Sequence, residues 1–281
     1  MTNGLRSLPL APPPVHRETI GSYLNRLADA NHLTIGYLSS LIGPSRQHRR
    51  VDNRVGYWTP EGLSRLAVLT GRSPSTLIRA MPPLGLIGDP VRRLPSSATE
   101  DVIEPRRRPA CCLCMARRHI RGLVVRSTLH HEGVCHRHHR WLLGDEQHDL
   151  TRLPEVLQAN FRHQRIVRRG ARPSTALAYI DARDRLTRWF NSESSRESLR
   201  QRWNRRLDVL GEDPFGDPLR PSEARIELAT YPEAVVLTGL FSAPYWRDHP
   251  QLPAEAAHRL GIAPQQLLST ATLVRAGPPR P

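Results

Sequence analysis

The sequence predicts a mainly α-helical protein: an N-terminal helix-turn-helix-like domain, a small cysteine-rich module with a short β-hairpin, and a C-terminal helical bundle. Three observations indicate this fold class. Apolar residues recur at helical spacing along most of the 281 residues, strand-like alternation is scarce, and the four cysteines lie in one short stretch. The expected division is an N-terminal domain at 1–90, a linker at 91–109, the cysteine module at 110–145 and a C-terminal domain at 146–275.

The N-terminal domain is expected to contain two pairs of short helices. Thr34, Thr59-Pro60-Glu61 and Ser73-Pro74 are typical helix starts, because a hydroxyl caps the first turn and proline is tolerated there. The segment 26–38 aligns without gaps on 65–77, and 255–267 aligns on 65–77 as well. These alignments indicate either a repeated helix-turn-helix unit or the general likeness of short helices joined by a tight turn.

The C-terminal domain reads as a series of helices. They are expected near 150–169, 174–190, 195–210 and 223–249, and the tail after Arg275 is expected to be disordered. Trp189 and Trp203 occur at helical spacing and are predicted to be core residues rather than base-stacking ones. Strand-like alternation is clearest at 122–129, inside the cysteine module.

The charge is strongly positive. Forty-one basic residues, all arginine, face 26 acidic ones, which gives a net charge of +15 and an isoelectric point near 11.1. This excess favours a polyanionic partner, and DNA is the leading candidate, although an arginine-rich surface without a partner would look the same. The candidate nucleic-acid-binding residues are exposed positions of the helix after Ser73 and of the basic helix near 150–169: Ser75, Thr76, Arg79, Arg165, Arg168 and Arg169.

The location is expected to be the cytoplasm. No apolar run reaches the length of about 18 residues that spans a membrane. The prolines at 12–14 interrupt the only short apolar run near the N-terminus, so it does not read as a signal peptide.

The cysteine module has the spacing of a metal site. Cys111-x-x-Cys114 is followed, after 20 intervening residues, by Cys135-x-x-His138. Two such pairs suit tetrahedral Zn²⁺, and four protein ligands would make the zinc structural, as in a small zinc ribbon. The choice leaves competitors at neighbouring positions, namely Cys112, His136 and His139.

The same region also allows a catalytic interpretation. A histidine-rich zinc segment can belong to a small nuclease in which a histidine activates water beside a metal. His130, His131 and Glu132 would be its candidates, but no convincing carboxylate set for a second metal position follows in the sequence. Phosphate-binding glycine loops and serine-hydrolase motifs are also missing from it.

Four motifs in order resemble the TniQ family of transposition proteins. An extended Leu-Pro-rich lead at 8–14 precedes Glu18 and Ser22, and a Leu-x-Arg-Leu-Ala run with a following asparagine occupies 24–31. The helical pair ending at Met81, the Cys-x-x-Cys and the Cys-x-x-His followed by leucines come next. The resemblance covers about residues 5–170, and it departs from many relatives because a second cysteine pair after His138 is missing.

The resemblance implies an adapter rather than an enzyme. It places Cys111, Cys114, Cys135 and His138 as zinc ligands. It also implies DNA and a AAA+ transposition ATPase as partners, with an RNA-guided targeting complex and a homodimer as further possibilities. A stand-alone transcription regulator with a zinc-stabilised helix-turn-helix is the alternative in the class of binding proteins.

Overall fold

The computed structural model describes residues 4–43, 58–86, 106–142, 147–170, 172–192, 197–214, 216–217, 220–247 and 249–265. The described chain is mainly helical, as predicted. Its helices are α1 Ile20–Ala30, α2 Ile35–Ile42, α3 Pro60–Thr70, α4 Pro74–Ala80, α5 Cys112–Arg117, α6 Pro154–Arg169, α7 Arg172–Asn191, α8 Glu197–Leu210, α9 Glu223–Phe241, α10 Pro244–Arg247 and α11 Leu252–Leu260. The strands are β1 Arg106–Pro109, β2 Val125–Thr128, β3 Val134–Cys135 and β4 Arg140–Trp141, and a 3₁₀ turn covers Pro82–Leu86.

Contacts divide the chain into two compact units. The first contains residues 1–97 and 105–129, and the second contains 98–104 and 130–281. The division between 129 and 130 falls inside the stretch 110–145 that the sequence predicts as one module.

The first unit has a core formed by the two predicted helical pairs. Thr34, Thr59 and Ser73 cap α2, α3 and α4, each accepting a hydrogen bond from a backbone N–H in the first turn. The apolar faces meet in a cluster of buried side chains: Tyr23, Leu27, Ala28, Leu38, Ile42, Leu63, Leu66, Leu69, Leu77, Met81 and Leu84.

The two helical pairs are equivalent at their aligned positions. The caps Thr34 and Ser73 correspond, and so do the fully buried leucines Leu38 and Leu77. The turn after the first helix needs one left-handed residue in each pair: Gly71 at φ 61° in the second, and His32 at φ 55° in the first. The third aligned segment also has a left-handed glycine at the turn, Gly261 with φ 63°, and the rest of this segment after residue 265 lies outside the described residues.

The proline-rich lead is held along these helices by hydrogen bonds to its backbone. Asn31 pairs with Leu10 through both sides of its amide, with Oδ1 accepting from Leu10 N at 3.0 Å and Nδ2 donating to Leu10 O at 2.6 Å. Tyr23 donates to Pro12 O at 3.2 Å. Proline and its neighbours resist helix formation, so the lead is extended. The hydrogen bonds from Asn31 and Tyr23 then fix its position along the helices.

Glu18 and Arg26 form a buried ion pair in the first unit. The Arg26 guanidinium donates twice to the Glu18 carboxylate, at 2.9 and 2.8 Å, and both side chains are almost fully buried. Glu18 also accepts from Ser22 Oγ and from Val15 N. The family-like motif residues Glu18, Ser22 and Arg26 thus hold the lead to α1.

Residues 106–109, predicted as the end of the linker, form strand β1. They pair antiparallel with β2, so that Arg108 faces Arg126 across the ladder. The strand in 122–129 was predicted. Its partner was not, because Arg-Arg-Arg-Pro has a composition typical of a linker.

The second unit is a helical assembly around α9. This helix is buried on most sides and packs against α6, α7, α8 and α11. Trp203, predicted as core, is 1% exposed and donates from Nε1 to Glu233, which also pairs with the buried guanidinium of Arg206. Trp189, the other predicted core tryptophan, is also buried.

Among the described residues, none of the helices is both long enough and apolar enough to cross a membrane. The predicted disordered tail after Arg275 lies outside the described residues.

Candidate metal centre

Cys111, Cys114, Cys135 and His138 come together in one cluster. Their ligand atoms, three Sγ and one imidazole nitrogen, all lie within 4.8 Å of one another. The Cys135 Sγ and His138 Nδ1 are 3.7 Å apart. Two ligands of a tetrahedral zinc are separated by roughly 3.5 Å, given zinc–ligand distances of about 2.0–2.3 Å. The four side chains therefore have the donor types of a zinc site and lie close enough together to hold a metal ion such as zinc.

The first ligand pair is set by the start of α5. Cys111 is the residue before the helix, and its carbonyl accepts from Met115 N at 3.0 Å. Cys114 follows within the first turn. The neighbouring Cys112 is exposed and is not part of the cluster, because successive helical residues point in different directions.

The second pair is set by the β3–β4 hairpin. Cys135 ends β3, and its carbonyl accepts from His138 N at 3.3 Å across the turn. His139 follows with φ 48° and is exposed. His136 points elsewhere, since its Nε2 lies 2.8 Å from the Gln164 amide nitrogen and its ring lies 4.5 Å from that of Phe161. Burial lowers the pKa of His136 and so favours the neutral form of its imidazole.

A buried polar network on α6 supports this second hairpin. Asn160, His163 and Gln164 share one face of the helix at spacings of three and four, and Asn160 and His163 are fully buried. Gln164 Nε2 contacts both His136 Nε2 and Asn160 Oδ1. Asn160 Nδ2 in turn donates to the backbone carbonyl of His131 at 3.1 Å. The network links α6 to the residues that lead into Cys135.

The same network has a preferred direction. The Asn160 amide nitrogen can only donate, and it lies 2.8 Å from the Tyr231 hydroxyl. This favours a Tyr231 proton directed to His163 Nδ1, at 2.9 Å, and a His163 Nε2–H directed to His130 Nδ1, also at 2.9 Å. Asn160, His163 and Tyr231 were not predicted from the sequence, although the spacing of Asn160 and His163 on one helix face, between buried Val156 and Val167, was a usable signal.

Replacing Asn160 by leucine is expected to destabilise the protein by about 2 kcal/mol, because buried partners lose their hydrogen bonds. Urea denaturation measures the change. The control is Asn204→Leu on α8, an exposed asparagine whose loss should change the free energy of unfolding by less than about 0.5 kcal/mol. Equal midpoints for the two variants would contradict a structural role for the network.

Residues 9–142 match the model of the TniQ family. The chain carries a TniQ domain. The match includes all four clustered ligands and the motif residues that hold the lead. Neither the curated proteins nor the solved structures contain a significant match to the chain. The TniQ domain implies a role associated with transposition.

The predicted nucleic-acid residues lie on two separate helices. Ser75, Thr76 and Arg79 are exposed on α4 of the TniQ domain, and both hydroxyls lie within 3.0 Å of Ser73 Oγ at the helix start. On α6, which follows the TniQ domain, three exposed arginines lie along one helix: Arg165, Arg168 and Arg169. All six remain candidates for DNA contact.

Two of the three residues of the nuclease alternative, His130 and His131, contact the polar network. His130 contacts His163 and stacks on Tyr179 with ring centroids 5.4 Å apart. His131 lies edge-on to His130. In the described part of the chain, the Cys₃His cluster is the one group of three or more candidate metal ligands. His130 and His131 thus take part in the packing of the second unit.

Proposed function

We propose that this protein is a DNA-associated adapter in transposition target selection, which recruits a AAA+ transposition ATPase to target DNA or to a targeting complex. The observation that carries the proposal is the TniQ domain at 9–142. The adapter acts by binding, and the chemistry of transposition belongs to its partners.

Two further observations support this proposal. The net charge of +15 favours association with a polyanion. The Cys₃His cluster has the donor set of a closed structural zinc site, in which four protein ligands leave no position for a substrate. In this proposal zinc holds together a segment with few apolar residues, and Cys111, Cys114, Cys135 and His138 are its ligands.

The recruiting role is tested with a purified AAA+ transposition ATPase. The tagged protein is immobilised with double-stranded DNA and ATP, and retention of the ATPase is measured. Retention that requires the TniQ protein is expected. Absence of any ATPase binding, together with tight binding to one defined operator, would favour the transcription-regulator alternative instead.

DNA binding is expected to weaken steeply with salt. If the arginines contact about five phosphates, the affinity should fall by roughly a hundredfold or more between 50 and 200 mM salt. Fluorescence anisotropy with a duplex of mixed sequence measures this slope. A flat response would remove phosphate contact as the basis of DNA association.

The nuclease alternative makes a different prediction. Metal-dependent cleavage of plasmid DNA that is lost in His130→Ala would support it and would contradict the adapter proposal. We expect uncut plasmid with both proteins, since His130 is engaged with His163.

A further inference from the structure

Three aromatic rings cluster at the short helix α10. Tyr245 and Trp246 lie on the helix, and His249 follows it, with ring centroids between 4.8 and 5.2 Å apart. The Tyr245 side chain stacks on His249, and its hydroxyl lies 3.3 Å from His249 Nε2. Tyr245 is nonetheless 67% exposed. One large ring is thus held in a defined orientation with a face open to solvent.

Arginines lie beside these rings. The Arg259 guanidinium carbon on α11 lies 6.0 Å from the Trp246 ring centroid. On α6, burial is the main cause that lowers the pKa of Arg162, and the positive charges of Arg259 and Arg165 lower it further. Arg162 therefore lies within electrostatic reach of both arginines. Glu255 pairs with Arg259 at 2.6 Å and offsets part of this charge. The remaining positive charge favours an anionic partner, because bound phosphates would relieve the mutual repulsion of the guanidiniums.

We propose that this arginine–aromatic surface (Arg162, Arg165, Tyr245, Trp246, His249 and Arg259) binds an unpaired stretch of DNA. A base stacks on the Tyr245 ring, and neighbouring phosphates contact the arginines. Base–aromatic stacking requires an accessible base face, which single strands offer and intact duplexes do not. The choice of DNA rests on the proposed role in transposition, and the proposal adds a second form of DNA to that role.

The test compares a single-stranded thymidine oligonucleotide of about twenty nucleotides with a duplex of the same length by fluorescence anisotropy. Tyr245→Ala is expected to weaken single-strand binding roughly tenfold or more, since stacking contributes about 1–3 kcal/mol per base. Duplex binding and the salt slope should not change. Arg162→Gln and Arg165→Gln should each reduce the magnitude of the salt slope by about 0.7 for the single strand.

Tyr37→Ala is the matched control, because Tyr37 is another exposed tyrosine, 55% accessible, on α2 of the first unit. It is expected to leave single-strand binding unchanged, and Tyr245→Phe is expected to retain most of the affinity because it keeps the ring. Equal effects of Tyr245→Ala and Tyr37→Ala, or no effect of either, would overturn the proposal. Tighter binding of a uridine oligoribonucleotide than of the DNA strand would overturn the assignment to DNA.

The outcomes separate this inference from the proposed function. A protein that binds the duplex but not the single strand refutes the stacking surface and leaves DNA association intact. A protein that binds neither at low salt refutes both the surface and the DNA part of the proposed function.

Discussion

Cys114→Ser is expected to abolish zinc binding by the purified protein, whereas Cys112→Ser is expected to retain one zinc per chain. Both substitutions remove a thiol from the same helix, but only the Cys114 sulfur belongs to the Cys₃His cluster. Elemental analysis measures the metal content of the two purified proteins after dialysis into a buffer without added thiols. The comparison therefore tests the position of the ligand rather than the general loss of a cysteine.

The loss of zinc is expected to have a large effect on stability. Structural zinc contributes roughly 10 kcal/mol to the folding of small zinc domains, so removing a ligand should cost about 5 kcal/mol or more where the metal is bound. Thermal unfolding should show a lowered or broadened transition for Cys114→Ser, and a chelator should produce the same change in the parent protein. A parent protein without zinc, or a Cys114→Ser variant that melts like the parent, would contradict the metal centre.

Glu18→Gln is expected to destabilise the first unit by about 3 kcal/mol, because it leaves the Arg26 guanidinium buried without a counter-charge. The glutamine keeps the size of the side chain, so the loss reports charge rather than packing. Chemical denaturation monitored by circular dichroism measures the effect. Glu18 is 1% exposed and Arg26 is 6% exposed, so water cannot replace the missing carboxylate without opening the structure.

The control for this prediction is Glu61→Gln. Glu61 is exposed in the first turn of α3, where its charge interacts favourably with the helix N-terminus, and its loss should cost less than about 1 kcal/mol. The double variant Glu18→Leu/Arg26→Leu should be more stable than Glu18→Gln, since it removes the unpaired charge. Similar stabilities for Glu18→Gln and Glu61→Gln would show that the buried pair contributes little.

Local signals made much of the first unit predictable. The hydroxyl residues before α2, α3 and α4 were recognisable as caps because a Ser or Thr side chain satisfies a free N–H there, and each one is a cap in the structure. The apolar spacing likewise located the buried leucines. Gly71 marked one turn between helices, but His32 adopts the same left-handed backbone without any such signal.

Long-range pairing was the part that local patterns could not give. Strand β1 consists of three arginines and a proline, and its structure depends on β2, which begins 16 residues after β1 ends. The buried network of Asn160, His163 and Tyr231 was hidden for a related reason. Polar residues on a helix usually face solvent, and only the packing of α9 against α6 encloses these.

The candidate zinc site lies between these two cases. The ligand spacing in each short pair is local and was readable from the sequence, whereas the approach of one pair to the other was inferred from the chemistry of zinc. The choice of Cys111 over Cys112 rested on spacing alone. The structure gives it a physical basis, because Cys112 projects into solvent.

The attachment of the proline-rich lead separates residues that hold the framework together from residues that form its outer surface. The polar groups of Asn31, Glu18 and Arg26 form contacts inside the chain, so these residues have a structural role. The outward positions of α2 and α4, including Tyr37 and Arg79, are exposed and lie outside this buried framework. Substitutions at these outward positions can therefore change the exposed surface while the buried framework beneath stays the same.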